Sequence, residues 1–156
     1  MLLYPIFLFL RDRRVVVAGA GRVALRKVRG LLDAGARVTV IAPEVLPEFE
    51  KLSVTLVRRK ARARDLDGAF LAFAATDDRR ANHALARAAR KRGILANIAD
   101  SPAECDFLTP ARATRGNLQI AVSTGGESPR LAAELRRKLE SMLDAAATGK
   151  RVSDDR

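Results

Sequence analysis

The chain has 156 residues, 48% of them hydrophobic, and a formal charge of +11. That length suits one domain, or one domain with a small appendage, and the single Cys105 excludes both an internal disulfide framework and a cysteine-based zinc cluster. The charge reads either as a basic surface for a polyanion or as an Arg- and Ala-rich bias in a solvated surface. The arginines lack the aromatic interleaving of an RNA or single-strand binder, and the cysteine usage fits a reduced, cytoplasmic setting.

The first ten residues, M-L-L-Y-P-I-F-L-F-L, are too short to span a bilayer. They lack a basic lead and run into Arg11 to Arg14 without a small-residue cleavage site, so a buried N-terminal strand or staple is expected rather than a signal segment. Arg13 to Ala18 then reads as a strand, continuous in apolar residues from Val15 on, as a strand buried on both faces should be. Gly19-Ala20-Gly21 follows, with Ala24 where a third small residue belongs, which is the G-x-G-x-x-A pattern of a strand–turn–helix that binds a dinucleotide pyrophosphate. Gly19 permits the tight turn, and Gly21 lets the backbone approach the phosphates at the start of a helix. That helix is expected over Arg22 to Ala34, ended by Gly35, with Val23, Ala24, Val28, Leu31 and Leu32 on its apolar face.

Arg37 to Ala42 reads as the second strand, completing a β-α-β unit of about 30 residues. The acidic residue that accepts ribose hydroxyls at the end of such a strand is missing, and Ala42-Pro43-Glu44 stands there instead. Glu44 either serves from the loop or begins a short helix. No arginine follows this strand immediately, which favours NAD over its 2′-phosphorylated form. Val54 to Val57 reads as a third strand, and the run Arg58, Arg59, Lys60, Arg62, Arg64 as a solvated loop.

Ala69 to Ala75 reads as a fourth strand, ending in Thr76-Asp77-Asp78 at the carboxyl edge where open α/β sheets place their ligands. Thr76 is a candidate cofactor contact, and Asp77 or Asp78 a helix cap. A helix over Arg79 to Arg92 carries the lone His83, read as surface or helix-face packing because it has no companion at ligand spacing; no metal site is expected. Ile94 to Ala99 reads as a fifth strand ending at Asp100. Shorter strands are expected over Asp106 to Thr109 and Leu118 to Ser123. A last helix is announced by Ser128 as cap and Pro129 at its first position. The fold class expected is α/β, a Rossmann-type doubly wound parallel sheet followed by a small α+β dimerisation segment. Residues 1–112 form the NAD-binding domain in this reading, 113–147 the dimerisation segment and 148–156 a disordered tail.

Five stretches together resemble a known family. They are P-I-F-L-F-L-R-D-R-R from Pro5, V-A-G-A-G-R-V-A-L-R-K from Val17, A-A-T-D-D from Ala74, N-I-A-D from Asn97 followed by C-D-F-L-T-P-A, and A-V-S-T-G-G-E-S-P from Ala121. Over Tyr4 to Glu140 the chain is similar to the N-terminal type of siroheme synthase, precorrin-2 dehydrogenase. The resemblance implies an NAD-dependent oxidation of precorrin-2 to sirohydrochlorin, in some members followed by ferrochelation at the same site, in a homodimer built from the region after the Rossmann domain. It implies that Arg22, Val23, Pro43 and Glu44 line the NAD site beside Gly19 and Gly21, and that Asp100 is the catalytic aspartate. Thr124 and Gly125 fall in the family's Ser-Thr-Gly-Gly loop, and Arg130 beside it is a candidate contact for a substrate carboxylate. An acidic tetrapyrrole would account for a basic face, with neither nucleic acid nor membrane as partner. Relatives usually continue into a further small helical domain that helps cover the substrate, which puts chelation most in question here. The competing readings are a non-catalytic NAD- or tetrapyrrole-binding module and, last, a nucleic-acid binder.

Overall fold

The computed structural model describes residues 3–147. They divide into two compact units, one of Ile6–Phe107 and one that comprises, of the described residues, 3–5 and 108–147. The tail expected over 148–156 lies outside the described residues.

The first unit is a five-stranded parallel sheet with the order β3-β2-β1-β4-β5. Its strands are β1 (Arg14–Ala18), β2 (Arg37–Ile41), β3 (Thr55–Val57), β4 (Leu71–Ala74) and β5 (Leu95–Ile98), with helices α1 (Arg22–Asp33) and α2 (Arg79–Arg90). Alternation along the strands feeds two separate cores. Val15, Val17, Val38, Val40, Leu71 and Phe73 pack with Ala24, Leu25, Val28 and Leu31 of α1. Val16, Ala18, Ala72, Ala74, Ala96 and Ile98 pack with Leu85, Ala86, Ala88 and Ala89 of α2. A strand that must satisfy both layers has no polar face, which is why β1 beyond Arg14 and the whole of β4 read as unbroken apolar runs. The chain runs outward from β1 to β3, then returns to β4 on the other side of β1. That reversal opens the crevice at which doubly wound sheets bind ligands.

The outer edge of β5 is not left bare. Asp106 takes the place of a sixth strand: its N–H donates to Ala96 O at 2.9 Å, and its carboxylate accepts from Ala96 N–H at 2.9 Å. Cys105 Sγ accepts from Ile98 N–H at 3.1 Å, and Phe107 packs edge-on against Phe73 with ring centroids 5.5 Å apart. These commitments are why no strand forms over Asp106 to Thr109, contrary to the sequence expectation. The N-terminal expectation is also corrected. Residues 3–9 form no strand and are exposed, Phe9 at 96%; Pro5 offers no backbone donor, and only Leu10 beyond them packs on the α1-side core.

The second unit pairs β6 (Ala111–Arg115) and β7 (Leu118–Val122) antiparallel, with helix α3 (Pro129–Ala147) packed on both. Ser128 caps α3 as expected, its Oγ accepting from Leu131 N–H at 3.3 Å. Among the described residues of this unit Ala113, Ala132 and Leu143 are buried, and Arg115 pairs with Asp144.

Candidate functional site

The turn from β1 into α1 is shaped by one close backbone approach. Gly19 has a φ of +101°, and a Cβ there would lie 2.2 Å from the carbonyl oxygen of Ala75 and 3.0 Å from Thr76 N. Only glycine meets both conditions. The turn is fixed on its other side by β2, with Gly19 N–H donating to Ile41 O at 2.9 Å. Gly21 differs: its φ is −86°, and a Cβ there would meet nothing within 4 Å. Packing within the chain therefore does not require glycine at 21, whereas a ligand approaching the backbone would.

Gly21 is the cap residue of α1 and gives no side-chain hydrogen bond, and no acidic residue stands in the first turn, where Arg22 and Val23 begin the helix exposed. The first N–H groups and the positive end of the helix dipole thus carry no acceptor from a capping side chain, the arrangement that receives a phosphate. These features fit the adenine-dinucleotide pyrophosphate at Gly19, Gly21, Arg22 and Val23. Pro43 and Glu44 are exposed in the loop after β2. Glu44 does not begin a helix; the next helical turn is a short one at Pro47–Lys51, which puts Glu48 and Glu50 in its first turn instead.

Across the crevice, Thr76 is pinned by a residue that sequence reading missed. Asn82, fully buried on α2, accepts from Thr76 Oγ1 at 2.7 Å and from Thr76 N–H at 3.2 Å, and donates to Thr76 O at 2.9 Å. An asparagine within the alanine-rich stripe of that helix was the available signal. Asp78 is the cap, its Oδ1 accepting from Arg80 N–H at 2.9 Å and Ala81 N–H at 3.1 Å.

Asp100 lies just beyond β5 on the same carboxyl edge, in a loop held from several directions. Arg79 Nε stands 3.9 Å from Asp100 Oδ2, while Arg79 Nη2 pairs with Glu104 Oε2 at 2.6 Å. His83, half-exposed, bonds Glu104 as well. The hydrogen bond from His83, together with Arg79, holds the Glu104 carboxyl below its ordinary range despite partial burial. From the other face Lys27 Nζ donates to Asn97 Oδ1 at 2.7 Å, and Asn97 Nδ2 to Phe107 O at 2.9 Å. Burial, with Arg26 adding to it, pushes the Lys27 ammonium below its ordinary pKa.

The basic run after β3 is only partly the solvated loop expected. Arg59 holds Asp65 through two bonds of 2.7 and 2.6 Å, and this pairing draws the Asp65 carboxyl down to about 2. In the second unit, Thr124 Oγ1 accepts from Ser128 N–H at 3.1 Å, and Gly125 has a φ of +67°. Arg130 is exposed in the first turn of α3. No helix among the described residues is long and apolar enough to cross a membrane.

Comparison with known proteins adds the following. A family model described as "Putative NAD(P)-binding" matches residues 6–111, and one described as "Sirohaem biosynthesis protein central" matches residues 115–142. The siroheme synthase of Methylococcus capsulatus is 48% identical over 143 residues, which cover 89% of this chain and 30% of that protein. The siroheme synthase of Escherichia coli O1:K1 / APEC is 46% identical over 143 residues, covering 89% and 31%. The chain thus spans about a third of the length of the curated relatives it matches. The solved structure of SirC, precorrin-2 dehydrogenase, superposes with a TM-score of 0.81 at 33% identity, covering 94% of this chain and 74% of that one.

Proposed function

Since the chain belongs to the family described as putative NAD(P)-binding and is similar over most of its length to SirC, precorrin-2 dehydrogenase, we propose that it oxidises precorrin-2 to sirohydrochlorin with NAD as acceptor. One observation carries the reading. An open helix start behind a glycine that admits no side chain shares its sheet edge with a carboxylate, Asp100, in a braced loop.

NAD supplies the hydride acceptor when bound. Gly19, Gly21, Arg22 and Val23 hold its pyrophosphate; Pro43 and Glu44 border its adenosine half, and Thr76 lines the crevice beside Gly19. Hydride loss from the macrocycle leaves a cationic π-system, and loss of a ring proton discharges it. Asp100 accepts that proton, acting as a general base. Thr124, Gly125 and Arg130 are proposed to meet the substrate's carboxylates, and the charge of +11 favours so acidic a tetrapyrrole at long range. The chain is proposed to act as a homodimer. In support, α3 leaves Leu131, Leu135 and Met142 exposed along one helix.

Supplying precorrin-2 and NAD and following sirohydrochlorin absorbance tests the reading, with Asp100→Ala alongside. Turnover that collapses in Asp100→Ala while NAD still binds supports it. A folded, NAD-binding chain that makes no product is instead a binding module. Repeating the assay with cobalt or ferrous ion reads chelation separately.

A further inference from the structure

Folds of this architecture distinguish the two nicotinamide dinucleotides at the carboxyl end of the second strand. A carboxylate there bonds the ribose hydroxyls of NAD, and an arginine nearby accommodates the 2′-phosphate of NADP. This chain has Ala42 at that point, buried in the α1-side core, which does neither. Along the sequence no arginine follows closely. The sheet brings one in from the neighbouring strand.

β3 lies parallel beside β2 with Val57 opposite Ile41, and Ala42 N–H donates to Val57 O at 3.1 Å. Arg58 is therefore the next residue on the adjoining strand end, one strand spacing or about 5 Å from Ala42. On the other side of β2, Ile41 is bonded to Gly19 at 2.9 Å, and Leu46 N–H donates to Ala20 O at 3.3 Å. The glycine turn, Ala42 and Arg58 thus stand in a row along the carboxyl edge, the direction in which the adenosine half of a dinucleotide extends from its pyrophosphate.

The state of the Arg58 side chain matters as much as its place. It pairs with Glu50 of the Pro47–Lys51 turn, and the two side chains are 56% and 55% exposed. An exposed pair of this kind is held weakly, and a phosphate dianion offers the guanidinium a stronger, bidentate partner. Arg59, by contrast, is committed to Asp65 through both its terminal nitrogens. We propose that Arg58 is a cofactor-specificity residue through which the chain takes NADP as well as NAD, and that Glu50 competes with the 2′-phosphate for it. The inference rests on the reading of the β1–α1 turn as the dinucleotide site, not on the identity of the substrate.

Calorimetric titration of the whole chain tests it, with NAD, NADP, 5′-ADP and 2′,5′-ADP, for the wild type, Arg58→Leu and Glu50→Gln. NADP is expected to bind within about tenfold of NAD, because the second strand itself ends in Ala42 and Glu50 is only a competitor for Arg58. Arg58→Leu should weaken NADP and 2′,5′-ADP by about tenfold or more, the loss of a charge-assisted contact. NAD and 5′-ADP should be unchanged. Glu50→Gln should tighten the 2′-phosphorylated pair alone. Both positions are exposed, and circular dichroism checks that each variant is folded. NADP binding more than about a hundredfold below NAD overturns the proposal. So does an equal loss of both dinucleotides in Arg58→Leu, or a Glu50→Gln variant indistinguishable from wild type. Failure to bind any of the four ligands removes the cofactor site itself, a different result from binding NAD without NADP.

Discussion

The turns β1–α1 and β4–α2 flank the same crevice and meet the same physical demand, yet they answer it in opposite ways. Each must find acceptors for the first N–H groups of a helix. At α2 the chain answers from within: Asp78 takes Arg80 N–H and Ala81 N–H, and Asn82 reaches back to Thr76 with three hydrogen bonds. At α1 the cap is Gly21, with no side chain to give and no acidic residue behind it. One helix start is closed by its own carboxylate, and the other has no such acceptor, which is why it is proposed to receive an anion from outside. Fold position alone does not separate them, and the unspent donors do.

The largest effect should come from closing the open turn by force. Gly19→Ala puts a methyl 2.2 Å from Ala75 O at a φ of +101°, and strain and overpacking together should cost about 2–5 kcal/mol. Denaturant unfolding reads the loss, and NAD binding should disappear with it. Opening the closed turn costs less. Asn82→Ala strands Thr76 N–H and C=O beside a small cavity, for about 2–3 kcal/mol. It should also weaken NAD, because Thr76 borders Gly19. Asp78→Ala removes the cap alone and should cost about 1 kcal/mol. NAD affinity should then stay at the wild-type value if α1, as proposed, is the helix that receives the phosphates. A large fall in NAD affinity in Asp78→Ala would erase the distinction between the two turns.

Much of this contrast was legible in the chain itself. The glycine pattern after a β-branched run located the open turn, and Asp77 or Asp78 read as a cap because a long helical stripe follows; the structure selects Asp78. Local rules suffice where the partner is two or three residues away. They fail where the partner arrives through the sheet. Nothing near Ala42 in sequence shows that Arg58 sits beside it, because that neighbour is set by the parallel pairing of β2 and β3. Asp106 looked like the start of a strand, and its role as a substitute for one depends on the bare edge of β5. The exposed residues 3–9 mislead for a related reason: apolarity predicts burial only if a surface remains to bury against, and no part of the first core beyond Leu10 takes them in.

The smallest effect on stability is the most telling about function. Gly21→Ala adds a methyl that touches nothing within 4 Å, at a φ of −86° that any residue adopts. Two small terms oppose each other: alanine is a poorer cap than glycine by about 0.5–1 kcal/mol, and it restricts the unfolded chain by a similar amount, about 0.4–1 kcal/mol. The net change should lie within about 0.5 kcal/mol, so the variant folds like the wild type. If the pyrophosphate lies at this turn, as proposed, the methyl takes up open space that glycine leaves for its approach to the backbone. Calorimetry should therefore show NAD weakened by about tenfold or more in a protein of unaltered unfolding midpoint, the consequence of holding a phosphate off its donors. The matching change at the other turn, Asp78→Ala, should give the inverse pattern, with stability lost and affinity kept. If Gly21→Ala binds NAD as tightly as wild type, the open helix start is not where the pyrophosphate lies, and the glycine at 21 has no explanation in this chain.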